Sequence, residues 1–390
     1  MKVKKRKYIA ATAVTVALIA GGIGAQPVSA KSAERLPVVI TANGFDEPIA
    51  FEHAPFLVDG SVFLPIRETA GLMDSSVTWI PEGRRVVVNS PTTRIEMSFG
   101  STAATVNGEA YTIPAMPINV NGTLYVPVRF VTEALGAKVS WNGTEQRVDL
   151  SFDQPYLYAV SGDKSFWLKR EDGELYLSEN ADEAELVADT NAEITDIGEF
   201  TAEAMSKDNV LLEAHDNFGE PHINDNVFKM VVANDQLTLE TKVHYWGMHP
   251  LQSTDWSEDG NALLMNGAEL LEISSTGETL ETYDLGELTG YEDAAFQVEY
   301  GDEDILVVRP QMAGWLTLID KKTKTAVRLA DALLDNKKLE IIESLDPLSV
   351  EFVNWDGLKL VSRDGDTLKL THHWFIDNSD TELSYELSVD

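Results

Sequence analysis

Six of the seven histidines lie beyond residue 200: His215, His222, His244, His249, His372 and His373. The stretch from Glu213 to His222 sets two imidazoles among carboxylates in a turn-rich segment, and His244-Tyr-Trp-Gly-Met-His249 follows one hairpin later. Imidazole and carboxylate ligands suit zinc, nickel or copper. The spacings match no metal motif such as His-Glu-x-x-His, so no metal is assigned. His215, His222, His244, Trp246 and His249 are expected to form a ligand-binding loop surface. Asp364-Gly365-Asp366 and Gly301-Asp302-Glu303-Asp304 have the hard oxygen donors that calcium takes, but neither continues into a calcium loop with a distal glutamate. Solvated turn acids are the expectation there, with no cofactor and calcium as the one cation the composition would suit. Catalytic signatures are missing: no Gly-x-Ser-x-Gly elbow, phosphate loop or dinucleotide fingerprint occurs, so no catalytic residue is assigned. With no cysteine, thiolate chemistry and disulfides are excluded. Trp246, Trp256, Trp315, Trp355 and Trp374 are expected mainly to pack, with sugar stacking as the competing use.

The elements that would position these residues are short strands. From Tyr156 onward, apolar runs alternate with turn sequences such as Glu-Asp-Gly and Arg-Asp-Gly-Asp. The clearest unit runs from Thr254 to Tyr283 and reads as four strands joined by tight turns, the layout of one propeller blade. Similar units at about 156–190, 195–247, 291–329 and 340–388 predict a β-propeller of about five blades, with a pair of β-sandwiches as the alternative. A helix over Val327 to Asn336 is read as an insertion between blades.

Charge divides the chain. Residues 31–153 hold 9 basic and 14 acidic side chains, whereas residues 154–390 hold 16 and 50. The resulting field repels nucleic acid and anionic polymers. At the N-terminus, Lys2, Lys4, Lys5, Arg6 and Lys7 precede an uncharged apolar run from Tyr8 to Ile23 and then Gln26-Pro-Val-Ser-Ala30. This pattern predicts a signal peptide over 1–30, cleaved after Ala30, rather than a membrane anchor. The mature protein would be secreted, or associated with the cell wall.

Between the signal and the acidic region the chain repeats itself. Pro55, Gly60, Pro65, Arg67, Trp79 and Arg85 recur 62 residues later as Pro117, Gly122, Pro127, Arg129, Trp141 and Arg147. Asp59-Gly60 and Asn121-Gly122 suit type I′ hairpins, and Asn43-Gly44 and Asn107-Gly108 predict a further hairpin before each copy. Pro65 and Pro127 are expected to open helices, the second stopping at Gly136. Each copy thus reads as strand, turn, strand, helix, strand, strand. Arg67 and Arg129 are expected to clamp each helix to its sheet, and Trp79 and Trp141 to anchor the cores, with a sugar platform as the rival reading for the tryptophans.

The segment Val-Asn-Gly-Thr-Leu-Tyr-Val-Pro-Val-Arg-Phe-Val-Thr-Glu-Ala-Leu-Gly-Ala-Lys-Val-Ser-Trp-Asn, from Val120 to Asn142, resembles the copper amine oxidase N-terminal-like domain, or stalk domain. The resemblance covers about residues 38–152. It implies an accessory extracellular module, common in exported proteins of Gram-positive bacteria. The copper histidines and quinone-forming tyrosine of those oxidases lie in another domain, so no amine oxidase activity is expected; residues 31–153 contain only His53. The expected organisation is a duplicated α+β stalk module over 31–153 followed by an acidic all-β domain over 154–390. The function expected is that of a binding or accessory protein whose partner is a cell-envelope glycan or protein. An extracellular enzyme acting on glycans or peptides at the propeller mouth is the alternative.

Overall fold

The computed structural model describes residues 35–247, 253–311, 313–344 and 356–387. The predicted signal peptide, His249 and Trp355 lie outside them. The described chain is mostly β-structure arranged as many small sheets.

In the first region the strands Ser61–Pro65 and Thr123–Pro127 lie antiparallel at the middle of a five-stranded sheet. Their register pairs Phe63 with Pro127, Leu64 with Val126 and Pro65 with Tyr125, which is symmetric in the 62-residue offset. Each strand closes a hairpin on a dipeptide with positive φ at both residues, 47° and 75° at Asp59-Gly60 and 53° and 94° at Asn121-Gly122. That geometry matches the right-handed twist of the flanking strands. Pro65 and Pro127 are helix N-caps, one residue earlier than predicted, and lead into α1 (Ile66–Gly71) and α2 (Val128–Ala134). After each helix comes an antiparallel pair, Ser76–Ile80 with Arg85–Asn89 and Lys138–Asn142 with Arg147–Ser151.

Beyond these pairs the symmetry ends. The first extends into a five-stranded sheet finishing with the predicted Asn107-Gly108 hairpin. The second gains Val39–Ala42, which pairs with Arg147–Ser151 in parallel. The Asn43-Gly44 turn is real, but it does not join two paired strands: the amide of Asn43 donates to Leu150 O, and Ile49 returns to Ile40 O. A distant strand thus won the pairing that local turn chemistry suggested. Two apolar cores result, one around Ile95, Val88 and Val131, the other around Ile40, Leu64 and Leu150.

Five antiparallel sheets follow, each built from strands consecutive in the chain. Sheet 1 holds Tyr156–Ser161, Lys164–Lys169, Glu174–Glu179 and Glu185–Asp189; sheet 2 holds Ile197–Ala204, Asn209–Phe218, Asn224–Ala233 and Gln236–Trp246. Sheet 3 has three strands, Ala262–Asn266, Glu269–Ile273 and Thr279–Asp284, and Trp256 contributes a single bridge to Ala262 instead of the fourth strand expected. Sheet 4 contains Phe296–Gly301, Ile305–Pro310, Thr317–Asp320 and Thr325–Arg328, and sheet 5 contains Leu358–Asp364, Thr367–Trp374 and Ser379–Glu386. A short α3 (Leu285–Thr289), not foreseen from sequence, links sheets 3 and 4. The helix expected over 327–336 is two helices, α4 (Leu329–Leu333) and α5 (Asn336–Glu343), because the Asp335 carboxylate accepts the Lys338 amide and starts a new helix.

The sheets pack face to face in chain order, and ion pairs tie the neighbours, half-exposed between sheets 1 and 2 and buried between the later ones. Lys164 meets Asp235 at 2.5 Å between sheets 1 and 2, Lys321 meets Glu272 at 2.7 Å between 3 and 4, and Arg309 meets Asp356 at 2.9 Å between 4 and 5. Asp356 also accepts the amides of Leu316 and Leu358, so its buried charge is fully engaged. The other face of sheet 1 rests on the first region. The Trp167 indole donates to Asp74 O at 2.6 Å, and the Asn89 amide reaches Ser178 and Asp182. Burial pushes the Asp74 carboxyl at this junction up to about 6, although Gln154 and Arg170 oppose the shift.

Candidate functional site

Sheet 2 is the longest sheet of the acidic region, with three strands of 10, 10 and 11 residues against six-residue or shorter strands in sheet 1. Sheet 2 therefore outruns its neighbour, and the overhanging end presents two cross-strand rows toward the sheet 1 side: Phe218, Asn224 and Trp246, then Asp216, Asn226 and His244. The next row, Ala214 and Phe228, already belongs to the core shared with sheet 1. Alternation along each strand puts every second residue on this face.

The rows have defined geometry. His244 Nδ1 lies 3.0 Å from Asn226 Oδ1, and its ring sits 6.1 Å from that of Phe218. Trp246 is 39% exposed, with its indole at the rim. Its backbone is held at both polar atoms by Gln311, which accepts from Trp246 N at 3.0 Å and donates to Trp246 O at 2.6 Å. In the hairpin above, His222 Nε2 meets Asp196 at 2.9 Å. Asp216 is enclosed beneath, accepting the amides of Thr195 and Asp196. Fixed below and open above, the surface offers two aromatic rings, two amides and two imidazoles to a ligand.

His215 is not part of it. It shares its strand with Asp216 and Phe218 but points the opposite way, toward sheet 3, with Glu213, Asp225, Val227 and Lys229. Both ring nitrogens are engaged, Nε2 with Glu213 at 2.6 Å and Nδ1 with Asp225 at 3.1 Å, while Lys229 joins Glu213 to Asp255. Burial opposes charge on His215, yet the bonds to Asp225 and Glu213 push its pKa up to about 10. Burial likewise would raise Glu213, but His215 and Lys229 hold it down to about 2. An imidazolium donating at both nitrogens has no lone pair for a metal or a substrate. This corrects the grouping of His215 with the ligand-binding histidines: it is half of an enclosed ion network. Of that group, His222, His244 and Trp246 come together, and His249 lies outside the described residues.

Other expectations are corrected by exposure. The side chains of Arg67 and Arg129 are at the surface; Arg129 makes an i,i+4 pair with Glu133 at 3.3 Å, so neither is a buried clamp. Trp79 and Trp141 are 42% and 40% exposed at the rims of the two cores, not anchors within them. Trp315 is buried and Trp256 donates to Glu203, both as packing residues. In the 301–304 turn Asp302 accepts the amides of Asp304 and Ile305, and Arg363 bridges Asp302 and Asp304. Among the described residues no three His, Asp or Glu side chains converge as metal ligands, and no helix is long and apolar enough to cross a membrane. Phe218, Asn224 and Asn226 were missed from sequence; the strand-parity relation to Trp246 and His244 was the signal that would have found them.

No curated protein matches the chain. Among solved structures it is similar to apo AztD from Citrobacter koseri, at 10% identity over 65% of this chain and 84% of that one with a TM-score of 0.23. It is similar also to the WD40 domain of SCAP from fission yeast, at 8% identity over 80% of this chain and 63% of that one, TM-score 0.21. A third similar structure is Kuenenia stuttgartiensis hydrazine synthase, at 12% identity over 80% and 95%, TM-score 0.22. Residues 45–150 match the copper amine oxidase N-terminal domain.

Proposed function

We propose that the chain is an exported binding protein of the cell envelope, in which a duplicated stalk module over 31–153 backs a five-bladed, propeller-like domain. The ligand surface is the overhanging end of sheet 2, formed by Phe218, His222, Asn224, Asn226, His244 and Trp246. The observation that carries this reading is the combination of a partly exposed indole and a second ring with amide and imidazole donors, on a backbone fixed by Gln311. Flat apolar faces beside hydrogen-bonding side chains suit the rings and hydroxyls of a glycan. The acidic excess of residues 154–390 disfavours anionic ligands.

Export rests on the basic, apolar and Val-Ser-Ala segments at the N-terminus, with cleavage after Ala30. The stalk module contributes position, not oxidase chemistry. Binding of the purified chain to isolated cell-wall material tests the reading. His244→Ala with Trp246→Ala should remove retention while leaving thermal unfolding unchanged. Retention that survives both substitutions would overturn the assignment, and retention abolished by protease treatment of the wall would replace the glycan by a protein.

A further inference from the structure

A different surface follows from the repeat. Most identities at the 62-residue offset have a structural cause. Gly60 and Gly122 supply positive φ, Pro55 and Pro117 are buried, and Pro65 and Pro127 cap helices. Val77 and Val86 pack in one core, as Val139 and Val148 do in the other. Arg85 is paired with Glu96, and Arg147 with Glu145 and Asp149.

Trp79 and Trp141 are only partly accounted for in this way. Each lies on the edge strand of its sheet, and each is about two-fifths exposed at the rim of its core. One exposed tryptophan on a soluble protein needs no explanation. Two copies of a sequence that have diverged at most positions, yet both keep a tryptophan about two-fifths exposed on an edge strand, do need one. Beside Trp141 stands Gly143, where a Cβ would lie 3.3 Å from the indole nitrogen.

We propose that Trp79 and Trp141 are paired stacking platforms for a neutral glycan of β-linked pyranoses. Such sugars carry equatorial hydroxyls and present flat C–H faces that an indole covers, while its N–H donates to a ring substituent. The module's 14 acids against 9 bases disfavour a polyanion, so the neutral class is the one the charge admits. Symmetric pairing of Ser61–Pro65 with Thr123–Pro127 relates the platforms by an approximate two-fold. Where one polymer surface reaches both platforms, two weak contacts combine into a much stronger one. This surface is independent of the sheet 2 overhang.

The test uses the intact chain with insoluble chitin and cellulose as polymers, and chitohexaose and cellohexaose as soluble probes read by tryptophan fluorescence. At least one of the two glycan types should bind. Trp79→Ala and Trp141→Ala should each weaken polymer binding roughly tenfold or more, and the double variant should abolish it. Trp79→Phe with Trp141→Phe should retain part of it, and Trp246→Ala should leave it unchanged. Unaltered thermal unfolding of the alanine variants verifies that the platforms, not the fold, were removed. Binding untouched by the double variant, no binding to either neutral polymer, or binding to polygalacturonate alone would overturn the proposal.

Discussion

The two faces of sheet 2 carry the same kinds of residues and use them in opposite ways. Toward sheet 3, His215, Glu213, Asp225 and Lys229 are closed into one ion network in which each charge has a partner. Toward sheet 1, where the strands outrun their neighbour, His244, Asn226 and Trp246 are ordered but open. His215 and His244 lie on strands flanking a common neighbour, so sequence distance does not separate them; strand parity and the length of the adjacent sheet do. A histidine enclosed by carboxylates serves cohesion, and one left at a projecting edge is available to a ligand.

The sharpest break of this comparison is Lys229→Ala. It strips Glu213 and Asp255 of their shared cation between two sheets, and removing one partner of an enclosed pair costs about 3–5 kcal/mol. Denaturant unfolding should show that loss, and a change below about 1 kcal/mol would mean that water already reaches the network. The pH dependence adds a sign. Because the folded-state pKa of His215 is raised, its stabilisation is complete below its ordinary value near 6.5 and disappears as pH climbs through about 10. Glu213, depressed to about 2, contributes above its ordinary range and fails only in strong acid. His215→Gln should accordingly remove part of the alkaline fall in stability between pH 6.5 and 10.

A second enclosed acid reverses this behaviour. Asp74 sits where the first region meets sheet 1, and burial raises it to about 6. The native state then holds its proton more tightly than the unfolded chain, so stability falls as pH rises from about 4 to 6 and stays lower above that. That rise corresponds to at most about 3 kcal/mol. Asp74→Asn, which tolerates the local φ of 48°, should raise the melting temperature at pH 8 and leave it unchanged at pH 3.5. Equal curves for both proteins across that range would show that the carboxylate is solvated.

How much of this was legible in the sequence depends on how local the cause is. Asp59-Gly60, Asn107-Gly108 and Asn121-Gly122 dictate their own turns, and the units at 156–190 and 195–247 follow from alternation between turn residues. The partner of Val39–Ala42 was not legible, because it is Arg147–Ser151, supplied by the far end of the repeat. Trp256 looked like part of a strand and is a single bridge, since its indole is committed across the sheets to Glu203. For the candidate site, residue types pointed to the right hairpins, but separating His215 from His244 needed the register. Trp79 and Trp141 were read as core residues because repetition usually signals packing; that both occupy edge strands is a property of the assembled sheets.

On the open face the comparison predicts little stability change and a large functional one. His244→Ala and Trp246→Ala should each alter unfolding by less than about 1 kcal/mol, since neither side chain is enclosed. Ligand retention is where their loss should appear. A Trp246→Ala protein destabilised as strongly as Lys229→Ala would place the indole in the core and sink the distinction between the faces.

The smallest effect is expected where sequence reasoning expected a large one. Arg67 and Arg129 open equivalent helices in the two copies, which suggested buried guanidinium groups bonded to carbonyls and a loss of several kcal/mol on truncation. Both are exposed, and on the surface of α2 Arg129 pairs with Glu133, an i,i+4 contact of the kind that stabilises a helix by about 0.3–0.5 kcal/mol. Arg129→Ala should therefore shift unfolding by no more than about 0.5 kcal/mol, and raising the salt concentration should erase the difference, because exposed charges are screened. Arg67→Ala should behave alike, with one distinction: Arg67 lies close enough to Tyr158 of sheet 1 to act on it electrostatically, so any excess loss should appear at the junction between the two regions. Proteolysis between residues 150 and 160 would read that excess directly. A loss of 2 kcal/mol or more at Arg129 would instead restore the clamp, and with it a different packing of α2.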